Sequence, residues 1–434
     1  MPSLCPSFLC FPCAQALRYF DKLSRHSEFG LFMDVKKSRY RIAYLVSHPI
    51  QYQAPLLRHL SNDERLDLVV FFMSDMSLRS YHDRGFGIAV KWDVPLTEGY
   101  SHRFLQRRSP KDRISWFRPF VHLPIADLKA DGFDVVWIHG YAHQACLRAI
   151  WSANRAGLKV LLRGESHLCS HPRSDAKSMI KDFWIPRIFE RVDGFLAIGS
   201  MNRRYYLHYG VPQERIFDMP YAVDNGFFQR LARNAQRNRE SLRSSLGLEP
   251  NRPVILYASK FETRKRPDVL LGAYRQLSSD GVSEPYPYLL LIGDGKERAP
   301  IQETAYSLGW SCIKLLGFKN QTELPQYYDL CDVFVLPSEF EPWGLVVNEV
   351  MNAGKAVIVS DRVGAGPDLV KQGLNGYIVP VGDVEALADR LRFITSNPDV
   401  CKKMGCESLK QISAWGFDQD RNGLLEAVAS VVER

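Results

Sequence analysis

The stretch from Phe334 to Gly366, FVLPSEFEPWGLVVNEVMNAGKAVIVSDRVGAG, restricts the possible folds more than any other. It grows out of an apolar run, Val333 to Leu336, short and rich in Val and Phe as buried strands are. A polar turn, Pro337 to Pro342, leads into a segment of helical character, Leu345 to Ala353. Pro342 stands near its start and Gly354 at its end, the usual order of helix punctuation. Ala356 to Val359 reads as the next strand. Such a strand–turn–helix–strand unit belongs to an open α/β sheet, whose ligands bind in the crevice beyond the strand ends. The backbone N–H groups of Trp343, Gly344 and Leu345 open the helix without intrahelical acceptors and suit a phosphate. Glu341 and Glu349 lie roughly two turns apart and can share a face. Beside a phosphate, carboxylates make sense as acceptors for sugar hydroxyls. By spacing alone, two solvated helix charges explain the pair equally well.

Glu341 through Glu349, with Pro342, Gly344 and the GKAVIVS run, resembles the E-x7-E motif of family 4 retaining glycosyltransferases (glycosyl transferases group 1). The resemblance implies an α/β chain of GT-B architecture: two Rossmann-like doubly wound domains facing across a cleft. It also implies transfer of a hexosyl group, with retention and without a metal, from a nucleotide-diphosphate sugar to a saccharide or lipid-linked acceptor. The nucleotide sugar is then a co-substrate, and no cofactor is expected. The family carries a basic pair after the first strand of the second domain, which neutralises the diphosphate. Lys260 and Lys265 match its spacing, with Lys260 standing where Arg is usual, so that charge is kept and the planar fork is lost. Trp343, Gly344, Leu345, Gly295 and Phe318 complete the donor-side candidates, with Glu349 for the ribose and Glu341 for sugar hydroxyls. The family's active-site histidine ends a strand like DVVWIHG, which makes His139 the match. His139 and Glu341 are the catalytic candidates.

The rest of the chain fits two such domains. At 434 residues it exceeds what one core usually fills. Strand-like runs at 40–46, 66–72, 134–139, 158–162 and 195–198 alternate with helical segments. They give a first, acceptor domain over 40–227. A polar, basic stretch, 228–250, with Arg230, Arg233, Arg237, Arg239 and Arg243 in or beside it, reads as a connector with a surface helix. The donor domain follows over 251–405, with strands at 253–258, 288–292 and 313–316. Residues 406–434 end in a helix expected to cross back onto the first domain. The loop after the first strand, Ser47 to Pro55, lacks the glycines the family usually has there. His48 and Gln51 in that loop, and Glu165 after the 158–162 strand, are the acceptor-side candidates.

Composition excludes more than it selects. Hydrophobic residues at 46% and charged residues at 24% describe an ordinary globular chain. No apolar run reaches membrane-spanning length. The net charge of +8 suits an acidic substrate or anionic surface and does not argue for nucleic acid. Arg103, Phe104, Arg107, Arg108, Lys111, Arg113, Trp116, Phe117, Arg118 and Phe120 mix basic and aromatic side chains. That mixture suits peripheral contact with an anionic membrane or a phosphorylated acceptor; a solvated insertion is the plain alternative. Nine scattered cysteines point to a reducing compartment, hence the cytoplasm. Cys10 and Cys13 form a lone C-x-x-C. Residues 1–39 lack the basic start of a signal peptide and read as an upstream extension, with a start near Met33. No G-x-G-x-x-G follows an early strand, against a dehydrogenase, and no D-x-D sits in a fitting loop, so no metal site is expected. Two rivals remain. A nucleotide-sugar 2-epimerase would need acid/base carboxylates and no acceptor surface. A non-catalytic nucleotide-sugar binding subunit would have lost a phosphate lysine or a glutamate.

Overall fold

A computed structural model describes residues 37–107, 114–169, 175–279, 286–308 and 311–433. The C-x-x-C pair, Met33, Arg108, Lys111 and Arg113 lie outside the described residues. Residues 38–434 form one compact unit built on two parallel sheets.

In chain order the strands are β1 (Tyr40–Val46), β2 (Leu66–Phe72), β3 (Tyr81–Asp83), β4 (Ile88–Val90), β5 (Ser101–Phe104), β6 (Val135–His139), β7 (Lys159–Arg163), β8 (Gly194–Ala197) and β9 (Ile216–Asp218). Then come β10 (Val254–Ala258), β11 (Tyr288–Ile292), β12 (Ile313–Gly317), β13 (Val333–Leu336), β14 (Ala356–Ser360) and β15 (Gly376–Val379). The first sheet runs β5-β2-β1-β6-β7-β8-β9 and the second β12-β11-β10-β13-β14-β15. β3 and β4 pair only with each other, antiparallel, as a separate hairpin.

Continuous apolar runs form these strands because helices cover both sheet faces. Along β10, Val254, Leu256 and Ala258 enter one core while Ile255 and Tyr257 enter another. β1 divides in the same way, with Ala43 and Leu45 on one side and Ile42, Tyr44 and Val46 on the other. Parallel pairing then places every strand's C-terminal end, and the loop after it, on one rim of its sheet.

The final helix, Phe417–Val432, sinks Leu424, Ala427, Val428 and Val431 into the β1 side of the first sheet. Gly423 permits the approach: a Cβ there would stand 1.8 Å from the Asp218 carbonyl oxygen. Asp420 on this helix and Arg163 at the end of β7 meet at 2.7 Å, both fully buried. Arg163 also donates to the carbonyls of Met219 and Pro220, at 2.8 and 3.0 Å. Its guanidinium lies 4.7 Å from the Tyr221 ring centre.

The basic stretch before β10 departs from the surface helix expected of it. It holds two helices, Asn225–Gln236 and Arg239–Ser245, and Arg243 is buried. Arg239 pairs with buried Asp329 and Arg243 donates to the Glu249 and Arg252 carbonyls, so these charges hold the helices to the second half. A helix over Asp175–Phe189, unread in the sequence, carries exposed Met179, Phe183 and Trp184.

Candidate active site

The loops at the strand ends of the two sheets enclose a cavity of about 340 Å³. Lys260, Lys265, Phe318, Glu341, Gly344 and Glu349 line it from the second half, and Gln51 and Glu165 from the first. Residues as far apart in sequence as Gln51 and Glu349 thus share one space.

The turn after β13 is pinned from several sides. Glu341 N donates to the Arg362 carbonyl at 3.2 Å and Gly364 N to the Glu341 carbonyl at 3.1 Å. A Cβ on Gly364 would stand 2.1 Å from the Pro342 carbonyl, so only glycine lets the two turns touch. The Trp343 side chain is buried, stacked on Trp415 with centroids 5.6 Å apart. Its indole N–H donates to Asn348 Oδ1 at 2.8 Å. Trp343 is therefore an anchor for the turn. Gly344, at φ 96°, swings the chain into the helix Leu345–Met351. Among the described residues, the N–H groups of Trp343, Gly344 and Leu345 have no backbone acceptor.

The two glutamates have different surroundings. Glu341 forms an ion pair with the Lys265 ammonium, and Arg264 Nη1 stands 3.8 Å from its carboxylate. Burial pushes the Lys265 pKa down, and the Glu341 charge opposes that. Glu349 accepts from Tyr328 OH at 2.6 Å. Burial pushes its carboxyl up to about 7, the tyrosine only partly opposing it. Lysine 319, absent from the sequence candidates, also lines the cavity, with Glu323 Oε1 3.9 Å from its Nζ. Lys260 reaches across to Asp83 of the hairpin, at 2.9 and 3.1 Å from its two oxygens.

On the opposite wall Glu165 faces the cavity with its side chain 38% exposed. Tyr221 OH donates to its Oε1 in a short contact, Tyr52 OH does so at 3.3 Å, and His139 Nε2 stands 3.4 Å away. Burial pushes the carboxyl up, but the His139 ring and the two hydroxyls outweigh it and hold the group at about 2. His139 itself lies behind Glu165, its side chain 11% exposed, against Gln53 Nε2 at 3.1 Å and Tyr221 OH at 3.3 Å. Proximity to the cavity is therefore indirect for this histidine. His48 also stays off the wall. It bonds Ser47 Oγ at 2.8 Å, and burial, then the His139 charge, lower its pKa to about 4. Gly295 packs beneath the Phe261 and Gly85 carbonyls, where a Cβ would stand 2.5 and 2.8 Å from them, and does not line the cavity.

Tyr52, Tyr221, Phe86 and Trp92 line the cavity without having been read from the sequence. Tyr52 alone had a signal, its place in the loop after β1. Among the described residues, no group of three or more His, Cys, Asp or Glu could hold a metal ion.

Residues 238–411 match the family model of glycosyl transferases group 1. The match contains Lys260, Lys265, Glu341 and Glu349 and none of the opposite wall. D-Inositol 3-phosphate glycosyltransferase of Nocardia farcinica is 27% identical over 252 residues, 57% of this chain and 54% of that protein. The amylovoran biosynthesis glycosyltransferase AmsK of Erwinia amylovora is 30% identical over 216 residues, 48% of each chain. The chain thus spans about half the length of the curated relatives it matches. Similarity to solved structures runs further. A glycosyltransferase from Rickettsia africae superimposes with a TM-score of 0.70 at 16% identity, over 91% of this chain and 99% of that one. Anabaena HepE in complex with UDP gives 0.68 at 16% identity, over 90% and 100%. Likeness over almost the whole described chain establishes the GT-B fold.

Proposed function

We propose that the protein transfers a hexosyl group from a nucleotide-diphosphate sugar to a hydroxyl of a saccharide or lipid-linked acceptor, with retention. One observation carries this reading: a single cavity joins the Lys260–Lys265 pair and the Glu341 and Glu349 carboxylates to an acidic, tyrosine-lined wall from the other half. The HepE structures hold UDP and UDP-glucose, so uridine-diphosphate sugars are the first donors to test.

Breaking the bond from the anomeric carbon to the diphosphate leaves negative charge on the leaving group while the sugar gains oxocarbenium character. Preorganised cations stabilise the first of these charges. Lys260, Lys265 and the N–H groups of Trp343, Gly344 and Leu345 take that role, without a metal ion. Glu341, fixed by Lys265, accepts from sugar hydroxyls, and Glu349 accepts from the ribose. Phe318 borders the nucleoside end. On the far wall Gln51 and Glu165 receive the acceptor. His139 works through Glu165, holding it ionised, and His48 supports the loop that carries Gln51. In a front-face displacement the acceptor oxygen bonds the anomeric carbon as the carbon–diphosphate bond breaks. The electron pair and the acceptor's proton go to the departing phosphate oxygen.

Among the described residues, no helix is long and apolar enough to cross a membrane. Trp116 and Phe117 are exposed beside Arg118 and offer a lipid-linked acceptor a peripheral, cytoplasmic contact. The reading is tested by incubating the protein with a panel of nucleotide sugars and simple saccharides. Nucleoside diphosphate release is followed, and the product anomer is assigned by NMR. A product with the donor's anomeric configuration supports the reading. An inverted product refutes retention, and a donor epimerised without transfer refutes the reading as a whole.

A further inference from the structure

Each cavity lysine already faces a carboxylate: Lys265 has Glu341, Lys319 has Glu323, and Lys260 has Asp83. Of these carboxylates Asp83 alone comes from the first half, and its element is unusual. The hairpin of β3 and β4 joins neither large sheet. A lone two-stranded hairpin is marginal in water, so its position depends on what it touches.

What it touches is the rim of the second sheet. Asp83 Oδ1 accepts from Gly85 N at 2.8 Å and Phe86 N at 3.0 Å, which folds the tip and aims the carboxylate at Lys260. The Phe86 ring centre lies 4.7 Å from Lys260 Nζ and 4.8 Å from that of Phe318. Just past the hairpin, the Lys91 carbonyl accepts from Asn320 Nδ2 at 2.7 Å, and Asp93 Oδ2 from Thr322 N at 3.1 Å. Gly295 leaves room for the Gly85 carbonyl. The segment Tyr81–Asp93 thus runs from the first half onto the loops after β10, β11 and β12. Phe86 and Trp92 form part of the cavity wall there.

We propose that this segment is a strap released by the donor: Asp83 holds Lys260 until a donor binds, and the incoming diphosphate takes Lys260 from it. The inference rests on reading Lys260 as a diphosphate ligand. A phosphate at Lys260 brings negative charge against the Asp83 carboxylate at close range, and like charges there repel. The ammonium cannot serve both at full strength. Once Lys260 turns to the phosphate, the strap keeps only its ring contacts and the Asn320 and Thr322 bonds. Donor binding then loosens the wall that Phe86 and Trp92 form.

Hydrogen exchange over residues 81–93, with UDP, GDP and ADP as probes, tests this alongside their dissociation constants. In the wild type the nucleotide that binds should speed exchange in this segment. Asp83→Asn should exchange fast without ligand and bind the same nucleotide about fivefold tighter, as loss of a partly exposed competing pair requires. Lys260→Ala should also free the segment when no nucleotide is present, an outcome that does not depend on the ligand. Slower exchange on nucleotide binding, or weaker binding by Asp83→Asn, would overturn the strap. If no nucleotide binds while Lys260→Ala still frees the segment, the latch exists and the donor-site reading is the one that fails. If Lys260→Ala leaves exchange unchanged, the latch itself is refuted.

Discussion

Glu349→Gln should make the protein more stable at pH 8 and leave it nearly unchanged at pH 4. The Glu349 carboxyl lies half-buried against the cavity and accepts from the Tyr328 hydroxyl at 2.6 Å. Burial raises it from an ordinary 4.5 to about 7. Below the unfolded value both states carry the proton, and the group contributes nothing to the pH dependence. As pH rises from about 4.5 to about 7 the unfolded chain gives up its proton first, so folding becomes progressively more costly. Above the folded value the cost is complete, about 3 kcal/mol by linkage. Glutamine keeps an acceptor for Tyr328 OH and cannot ionise, so it escapes this cost. Urea unfolding of both proteins at pH 4 and pH 8 checks it: the difference should be near zero at pH 4 and favour the variant by about 1–3 kcal/mol at pH 8. Nucleotide affinity should fall in the same variant, because an amide presents one acceptor to the ribose diol where a carboxylate presents two. An equal difference at both pH values, or a variant less stable at pH 8, would refute the assignment of strain to this carboxyl.

Three other substitutions probe separate parts of the account. Asp420→Ala strands the buried Arg163 guanidinium with only the Met219 and Pro220 carbonyls; it should cost about 3–5 kcal/mol in urea unfolding. Gly364→Ala sets a methyl 2.1 Å from the Pro342 carbonyl; the turn carrying Glu341 must shift, so stability should fall by about 1–3 kcal/mol and nucleotide affinity with it, as calorimetry would show. Tyr221→Phe removes a hydroxyl that bonds Glu165 and touches His139. Glu165 then rises from about 2, so the acidic limb of the pH–rate profile for transfer should move to higher pH while nucleoside diphosphate binding stays within about twofold.

The buried parallel strands were legible because their sequences need no partner to be recognised. β1, β2, β11 and β13 fall on the apolar runs 40–46, 66–72, 288–292 and 333–336 that the sequence shows. The second-half lining of the cavity was legible through local spacing: Lys260 with Lys265 in the loop after β10, and Glu341 with Glu349 from the turn after β13 into the helix Leu345–Met351. The hairpin was not. Its strands, Tyr81–Asp83 and Ile88–Val90, are three residues each, too short to show an alternating pattern, and what gives them a place is Lys260 and Phe318, far along the chain. The opposite wall shows the same limit. A histidine at a strand end marks the rim, but sequence cannot say that Glu165 stands in front of it with Tyr52 and Tyr221 at its sides. Arg239 and Arg243 look like solvated charges until Asp329 and the Glu249 and Arg252 carbonyls are seen to receive them.

The central claim is that Lys265 and its neighbours form a diphosphate site. Titration calorimetry of UDP, GDP and ADP, and of their hexose conjugates, against the wild type and Lys265→Ala addresses it directly. At least one nucleotide should bind the wild type and lose about thirtyfold or more in affinity with the variant, the effect of removing one partner of a buried charge-assisted contact. Equal binding by a Lys265→Ala protein that keeps its melting temperature, or no binding by the wild type across the panel, would contradict the account.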